Sequence, residues 1–228
     1  MTPHGVRIAF AESGSSEGPV MVMLHALGER GSDWDDIAGR LGRGYRVFQF
    51  DLRGHGDSDW PGTYSIQEMV GDVEAVLDAR GLTAVTLLGH SLGGNVAYAL
   101  TARRPDLVRR LVIEDVAPPV QRPRRPPPER PGTALPFDWE AVVALRAAVD
   151  DGDPDLWHAL SSITVPTLIV AGGPGSHIDQ EHLAAAADRL PNATLVTVPS
   201  SHNVHRDSPD DFSRAVLTWF TDLDEVPL

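Results

Sequence analysis

Ala84-Val85-Thr86-Leu87-Leu88-Gly89-His90-Ser91-Leu92-Gly93-Gly94 is the stretch on which the fold of this chain turns. Ala84 to Leu88 is a compact apolar run that reads as a buried strand, and Leu92 to Ala102 has the spacing of a helix rich in small residues. The two meet across Gly89-His90-Ser91-Leu92-Gly93, a G-x-S-x-G pattern with strand and helix on the sides that it requires. A serine on so sharp a turn has a strained backbone, and side chains at the flanking glycines would collide with their surroundings. The turn also holds the hydroxyl clear of the surface, while the helix directs its free N–H groups toward whatever the serine attacks. Ser91 is therefore the candidate nucleophile.

Outward from this turn, strands and helices alternate. Val6 to Phe10 and Val20 to Leu24 are short apolar segments around a Ser/Gly/Pro-rich turn, and they read as a hairpin. Trp34 to Leu41 is helical, Tyr45 to Phe50 extended, and Ile66, Met69, Val70, Val73, Val76 and Leu77 mark one buried helix face that Gly81 stops. After the Ser91 helix come a strand at Leu107 to Ile113, another at Thr167 to Ala171, a helix at Glu181 to Leu190, a strand at Thr194 to Val198 and a helix at Pro209 to Phe220. Such alternation predicts α/β crossover units and a mostly parallel, doubly wound sheet covered on both faces. The exception is Ala117 to Thr164, where eight prolines between Pro118 and Pro136 forbid regular structure before helical spacing returns at Asp138 to Val149. Because alternation resumes afterwards, residues 117–164 read as an insertion over the sheet within one domain spanning 1–228. That length suits a single α/β unit.

Bulk properties narrow the partners. A net charge of −13 opposes phosphate backbones and anionic lipid, so neither nucleic acid nor a membrane surface is expected. The cluster Arg122, Arg124, Arg125 and Arg130 reads as a solvated loop. Without cysteine there is no disulfide, thiolate metal site or cysteine nucleophile. No run approaches the ~20 apolar residues that span a bilayer, and Met1 to Phe10 lacks a leader pattern, so a cytoplasmic location is the default expectation.

A serine nucleophile needs donors for the oxyanion and a base. The N–H of Leu92 provides one donor. Met21 to Leu24 runs into the loop His25-Ala26-Leu27-Gly28, whose Leu27 N–H is the candidate for the other, with His25 bracing the loop. His202, just past the last strand, is the candidate base, and His205 is its rival. A metal site of these two histidines lacks a carboxylate or third histidine at ligand spacing, and none is expected.

Four segments, His25-Ala26-Leu27-Gly28, Asp51-Leu52-Arg53-Gly54-His55-Gly56-Asp57-Ser58, Gly89 to Gly94 and Ser201-His202, together resemble the α/β-hydrolase superfamily along essentially the whole chain. The resemblance implies a sheet of the eight-stranded type with a reduced cap at 117–164, and a structural role for the Asp51 to Ser58 turn. The serine at position 91 argues against haloalkane dehalogenases and epoxide hydrolases, which need aspartate there. Ala26 stands where a glycine is usual. The family's acid normally follows the Thr167 to Ala171 strand, but that stretch reads Gly172-Gly173-Pro174-Gly175-Ser176-His177. Relatives that place a carboxylate after the preceding strand point to Glu114 as the substitute, ahead of Asp115, Asp179 and Asp207.

The expectation is hydrolysis of a carboxylic ester or lactone by acyl transfer through Ser91, His202 and Glu114, with no metal or organic cofactor and a small-molecule substrate. Trp139 and Trp157 are the large apolar groups of the insertion, and they either line the pocket or pack the cap on the sheet. The chain is expected as a monomer or homodimer. Carbon–carbon bond hydrolysis, perhydrolysis or a lyase step would use the same residues, and loss of the usual acid would suit a noncatalytic ligand-binding homologue.

Overall fold

A computed structural model describes residues 2 and 5–223. The sheet has seven strands among the described residues, where the resemblance implied eight. They are β1 (Phe10–Gly14), β2 (Val20–Leu24), β3 (Arg46–Phe50), β4 (Val85–His90), β5 (Val108–Glu114), β6 (Thr167–Ala171) and β7 (Ala193–Thr197), and their order in space is β1-β3-β2-β4-β5-β6-β7. All pairings are parallel except that of β1 with β3. The sequences of β2, β4 and β6 are near-continuous apolar runs because both faces of these strands are covered.

The expected hairpin does not form. The first strand lies later than the apolar segment Val6 to Phe10, and it pairs antiparallel with β3 instead of β2. Both flanks of β2 are taken by parallel neighbours, so the incoming chain adds to the free edge of β3. Edge placement also explains the largely exposed, polar character of β1.

The helices are α1 (Asp35–Leu41), α2 (Ile66–Arg80), α3 (Leu92–Arg103), α4 (Trp139–Asp151), α5 (Pro154–Ala159), α6 (Gln180–Arg189), α7 (Val204–Asp207) and α8 (Pro209–Asp222). One apolar layer joins Met69, Val73 and Leu77 of α2 and Val96 and Leu100 of α3 to the sheet residues Leu87, Leu111 and Ile113. The opposite layer joins Ile37 and Leu41 of α1 and Phe212, Val216 and Phe220 of α8 to Leu88, Val112 and Val170. Alternate residues of one strand thus serve opposite layers, as the pleat requires. No helix among the described residues is long and apolar enough to cross a membrane.

After β2 the chain moves outward to β3, then crosses back so that β4 lies on the other side of β2. The carboxyl ends of β2 and β4 therefore flank a topological switch point, where a crevice opens in sheets of this kind. Both the His25 loop and Ser91 are delivered there. Residues 116–136 have no helix or strand, as their prolines demand. They are fastened to α4 by Arg122 and Arg125 on Asp150 and by Arg124 on Asp151, so three arginines of the basic cluster are paired.

The turn after β3 is built around buried charge. Arg53 is bidentate to Asp72 of α2, with Nη2 donating to Oδ1 at 2.9 Å, and its Nη1 donates to Glu68 Oε1 at 2.7 Å. Breaking the pair with Asp72 leaves the buried guanidinium with the half-buried Glu68 as its one remaining carboxylate among these two. Asp72→Asn is expected to lower unfolding free energy by about 3 kcal/mol in urea titration; a change within error would mean that the pair does not fasten this turn.

Candidate active site

Ser91 is the residue before the first turn of α3, and its backbone is held at φ 50° and ψ −110°. What holds it is close packing. A Cβ on Gly93 would lie 2.2 Å from the carbonyl oxygen of Leu24, and one on Gly89 would lie 2.4 Å from that of Gly93. The backbones of β2, β4 and α3 approach each other only because these positions have no side chain. Cross-bonds complete the turn: Ser91 N–H donates to the Glu114 carbonyl and Gly93 N–H to that of His25.

The His25 loop is braced from inside. Leu52 N–H donates to His25 Nε2 at 2.9 Å, so the ring carries its proton on Nδ1 and gives it to the Ala26 carbonyl at 2.7 Å. Burial, with His55 beside it, pushes the His25 imidazole down to about 3, which keeps it neutral. His55 repeats the pattern by accepting from Gly28 N–H. Ala26 fits where a glycine is usual, with its N–H donating to Glu29 Oε2. Asp51 receives the N–H groups of Gly31 and Asp57, so the Asp51 to Ser58 segment is a scaffold turn. Among the described residues, no protein acceptor takes the N–H of Leu27 or Leu92, while the neighbouring amides of Ala26, Gly28 and Gly93 are all engaged.

His202 follows β7, and its Nδ1 lies 2.8 Å from Asp115 Oδ2. Asp115 is the first residue past β5 and has a positive φ of 48°, which turns its carboxylate toward the end of β6. There Gly172 N–H donates to Oδ1 at 2.7 Å and the Ser176 hydroxyl to Oδ2. Burial raises the Asp115 carboxyl, but hydrogen bonds from His202, Ser176 and Gly172 outweigh it and hold the group below its ordinary value. The Gly172 to Ser176 stretch that lacks an aspartate thus supplies donors to an aspartate from the next strand.

Glu114 is not the carboxylate on His202. It lies on the same side of β5 as Val112, toward α8, and its two oxygens take the Nδ1 of His205 at 2.9 and 2.8 Å. His205 also donates its backbone N–H to Glu114 at 2.7 Å and stacks on Trp34, with centroids 4.1 Å apart. Both residues are wholly buried, so His205 has no access to a substrate. Asp179 caps α6, and Asp207 accepts from the Ser201 hydroxyl.

Ser91 faces a cavity of about 1000 Å³, lined also by Leu27, Leu92, Val116, Leu145 and His177. Neither Trp139 nor Trp157 is among the lining residues. The cavity is bordered by the C-terminal half of α4, and Trp139 begins that helix at the other end. Trp157 packs on the core with the guanidinium of Arg189 over its ring. The sequence reading also missed His177, whose ring centre is 4.5 Å from that of His202, and His90, whose Nε2 is 2.9 Å from the His202 carbonyl. His90 stands inside the G-x-S-x-G pattern as its variable residue, and that position was the available signal for it.

A family model described as the alpha/beta hydrolase fold matches residues 19–152. An sn-1-specific diacylglycerol lipase of Mus musculus is 28% identical, over 88% of this chain and 80% of its own. A putative esterase/lipase of Haemophilus influenzae is 29% identical, over 87% and 82%. Among solved structures, a hydrolase from Pseudomonas aeruginosa superposes with a TM-score of 0.85 at 27% identity, covering 96% of each chain. An enol-lactonase from Burkholderia xenovorans superposes with a TM-score of 0.83 at 23% identity, covering 95% of this chain and 97% of its own. With more than half of its length matched by the family model, and with the turn at Ser91 and the layered sheet behind it, the chain belongs to the alpha/beta hydrolase fold family.

Proposed function

We propose that this protein hydrolyses a carboxylic ester or lactone through an acyl-enzyme formed on Ser91, with His202 as base and Asp115, in place of Glu114, as the acid behind it. The observation that carries the reading is the 2.8 Å contact between His202 Nδ1 and Asp115 Oδ2, with the His202 carbonyl 2.9 Å from Nε2 of His90, the residue before a strained serine that opens on a cavity. An Nδ1–H donated to Asp115 leaves the lone pair on Nε2, the tautomer that takes the proton of Ser91. As the serine oxygen adds to the substrate carbonyl, negative charge moves to the carbonyl oxygen. The free N–H groups of Leu27 and Leu92 receive it. The imidazolium that forms is stabilised by the Asp115 carboxylate and returns its proton to the leaving alkoxide. Water then attacks the acyl-serine by the same route in reverse.

Similarity to a diacylglycerol lipase and to a putative esterase/lipase supports ester cleavage. With Asp115 on His202, the missing acid no longer argues for a noncatalytic binder.

Two measurements test the reading. Against a panel of short acyl esters and lactones, Ser91→Ala is expected to reduce turnover to background while its far-UV circular dichroism stays unchanged; full activity in that variant would refute the nucleophile. Asp115→Asn is expected to cut kcat by roughly 10³- to 10⁴-fold, because the imidazole loses both its orientation and the partner for its charge. Glu114→Gln is expected to lose far less. The opposite order of the two variants would return the acid to Glu114.

A further inference from the structure

Beneath Ser91, on the α8 side of the sheet, three side chains bring ligand atoms together: Glu29 from the loop after β2, His90 at the end of β4 and His205 on α7. One donor atom from each lies within 4.8 Å of the other two, and His90 Nδ1 is 3.5 Å from Glu29 Oε2. Both histidines are wholly buried, while Glu29 keeps 13% of its side chain in contact with solvent.

The second nitrogen of each imidazole fixes what the first presents. His90 Nε2 faces the His202 carbonyl, which only accepts, so Nε2 bears a proton and the neutral ring turns its Nδ1 lone pair inward. His205 Nδ1 faces the Glu114 carboxylate, so its Nε2 is likewise a lone pair. Neither inward nitrogen has a hydrogen-bond partner. Two buried lone pairs without a donor therefore face a carboxylate whose own donors, Ala26 N–H and Arg206, come from outside the group. Burial without a partner costs each such atom free energy. A carbonyl or carboxylate that orients the far nitrogen of a ligand histidine is the usual support of a metal site. Glu29 and Glu114 supply two negative charges beside the two imidazoles, and Arg206 Nη2, which donates to Glu29 Oε1 at 2.9 Å, is the cation that a bound metal ion would have to share Glu29 with.

We propose that Glu29, His90 and His205 form a binding site for a divalent transition-metal ion of the zinc class, with water completing the coordination. Two imidazoles and a carboxylate suit zinc or cobalt better than calcium or magnesium, which prefer oxygen. Bonds of about 2.0–2.2 Å to a tetrahedral ion set ligand atoms roughly 3.4 Å apart, so the three groups close inward by about 1 Å on binding. Glu29, on a loop and 13% exposed, is the ligand that must shift, and binding the ion would loosen its bonds from Ala26 N–H and Arg206. Such an ion would clamp the loop after β2, the Ser91 turn and the segment after β7 together. No step of acyl transfer runs through it, and the proposal stands independently of the reading of Ser91. A proton on His90 is the competing occupant, since Glu114 and Glu29 outweigh burial and raise that imidazole's affinity for one.

Untagged, chelator-treated protein titrated with Co²⁺ alone is the test. The expected result is one equivalent bound, with the intense visible bands of four-coordinate cobalt, which Zn²⁺ then displaces. Each ion is also expected to raise the melting temperature. Glu29→Gln and His205→Phe, each verified as folded by circular dichroism, are expected to abolish the bands, while His182→Ala on the surface retains them. Wild-type protein that binds neither ion, or that binds them equally well when Glu29 or His205 is replaced, would overturn the proposal. The wild-type titration alone decides the matter should either variant fail to fold.

Discussion

The contact on which the site depends is a close approach of backbones. Gly93 lets α3 start directly against the end of β2, and the helix can start there only if Ser91 accepts a left-handed conformation. Strain at one residue is tolerated because the surroundings over-determine it. The Ser91 N–H is held by β5, the Gly93 N–H by the His25 loop, and the apolar face of α3 is buried on the sheet. From this one constraint follows the placement of Ser91 and Leu92 at the wall of the cavity, which Leu27 also lines. Loosening it would separate the parts without removing any of them.

The order of elements was legible because the periodicities are strong. Runs such as Met21 to Leu24 and Thr167 to Ala171 are buried on both faces, whereas α2 shows a single buried face bounded by Ser65 and Gly81. Strand pairing was not legible in the same way. The polar residues of β1 carry little information about their neighbour, and short loops favour a hairpin until the flanks of β2 are known to be occupied. Nor did the aromatic content of residues 117–164 reveal which end of α4 borders the cavity. The structure places Leu145 there and leaves Trp139 aside.

The acid shows the limit most clearly. Glu114 and Asp115 are adjacent carboxylates at a strand end, and a residue-type argument cannot separate them. Strand alternation assigns Glu114 to the same face as Val112, away from the cavity. What sends Asp115 toward His202 is a backbone dihedral of 48°, a property of the folded chain with no signature in a non-glycine residue. The buried group of Glu29, His90 and His205 was equally invisible, since its members come from three separate segments that only the switch point of the sheet brings together.

His90 and Glu114 face each other across the ladder between β4 and β5, and Ser91 and Asp115 are the residues that directly follow them. Both have a positive φ, of 50° and 48°. The proposed nucleophile and acid are thus indexed by a single rung of the sheet. Loop fluctuation on the cavity side can then admit and release ligands without disturbing the spacing of these two groups, and surrounding loops are free to diverge in sequence as long as that rung persists. Mechanical precision at the site is in this sense inherited from the interior strands of the sheet.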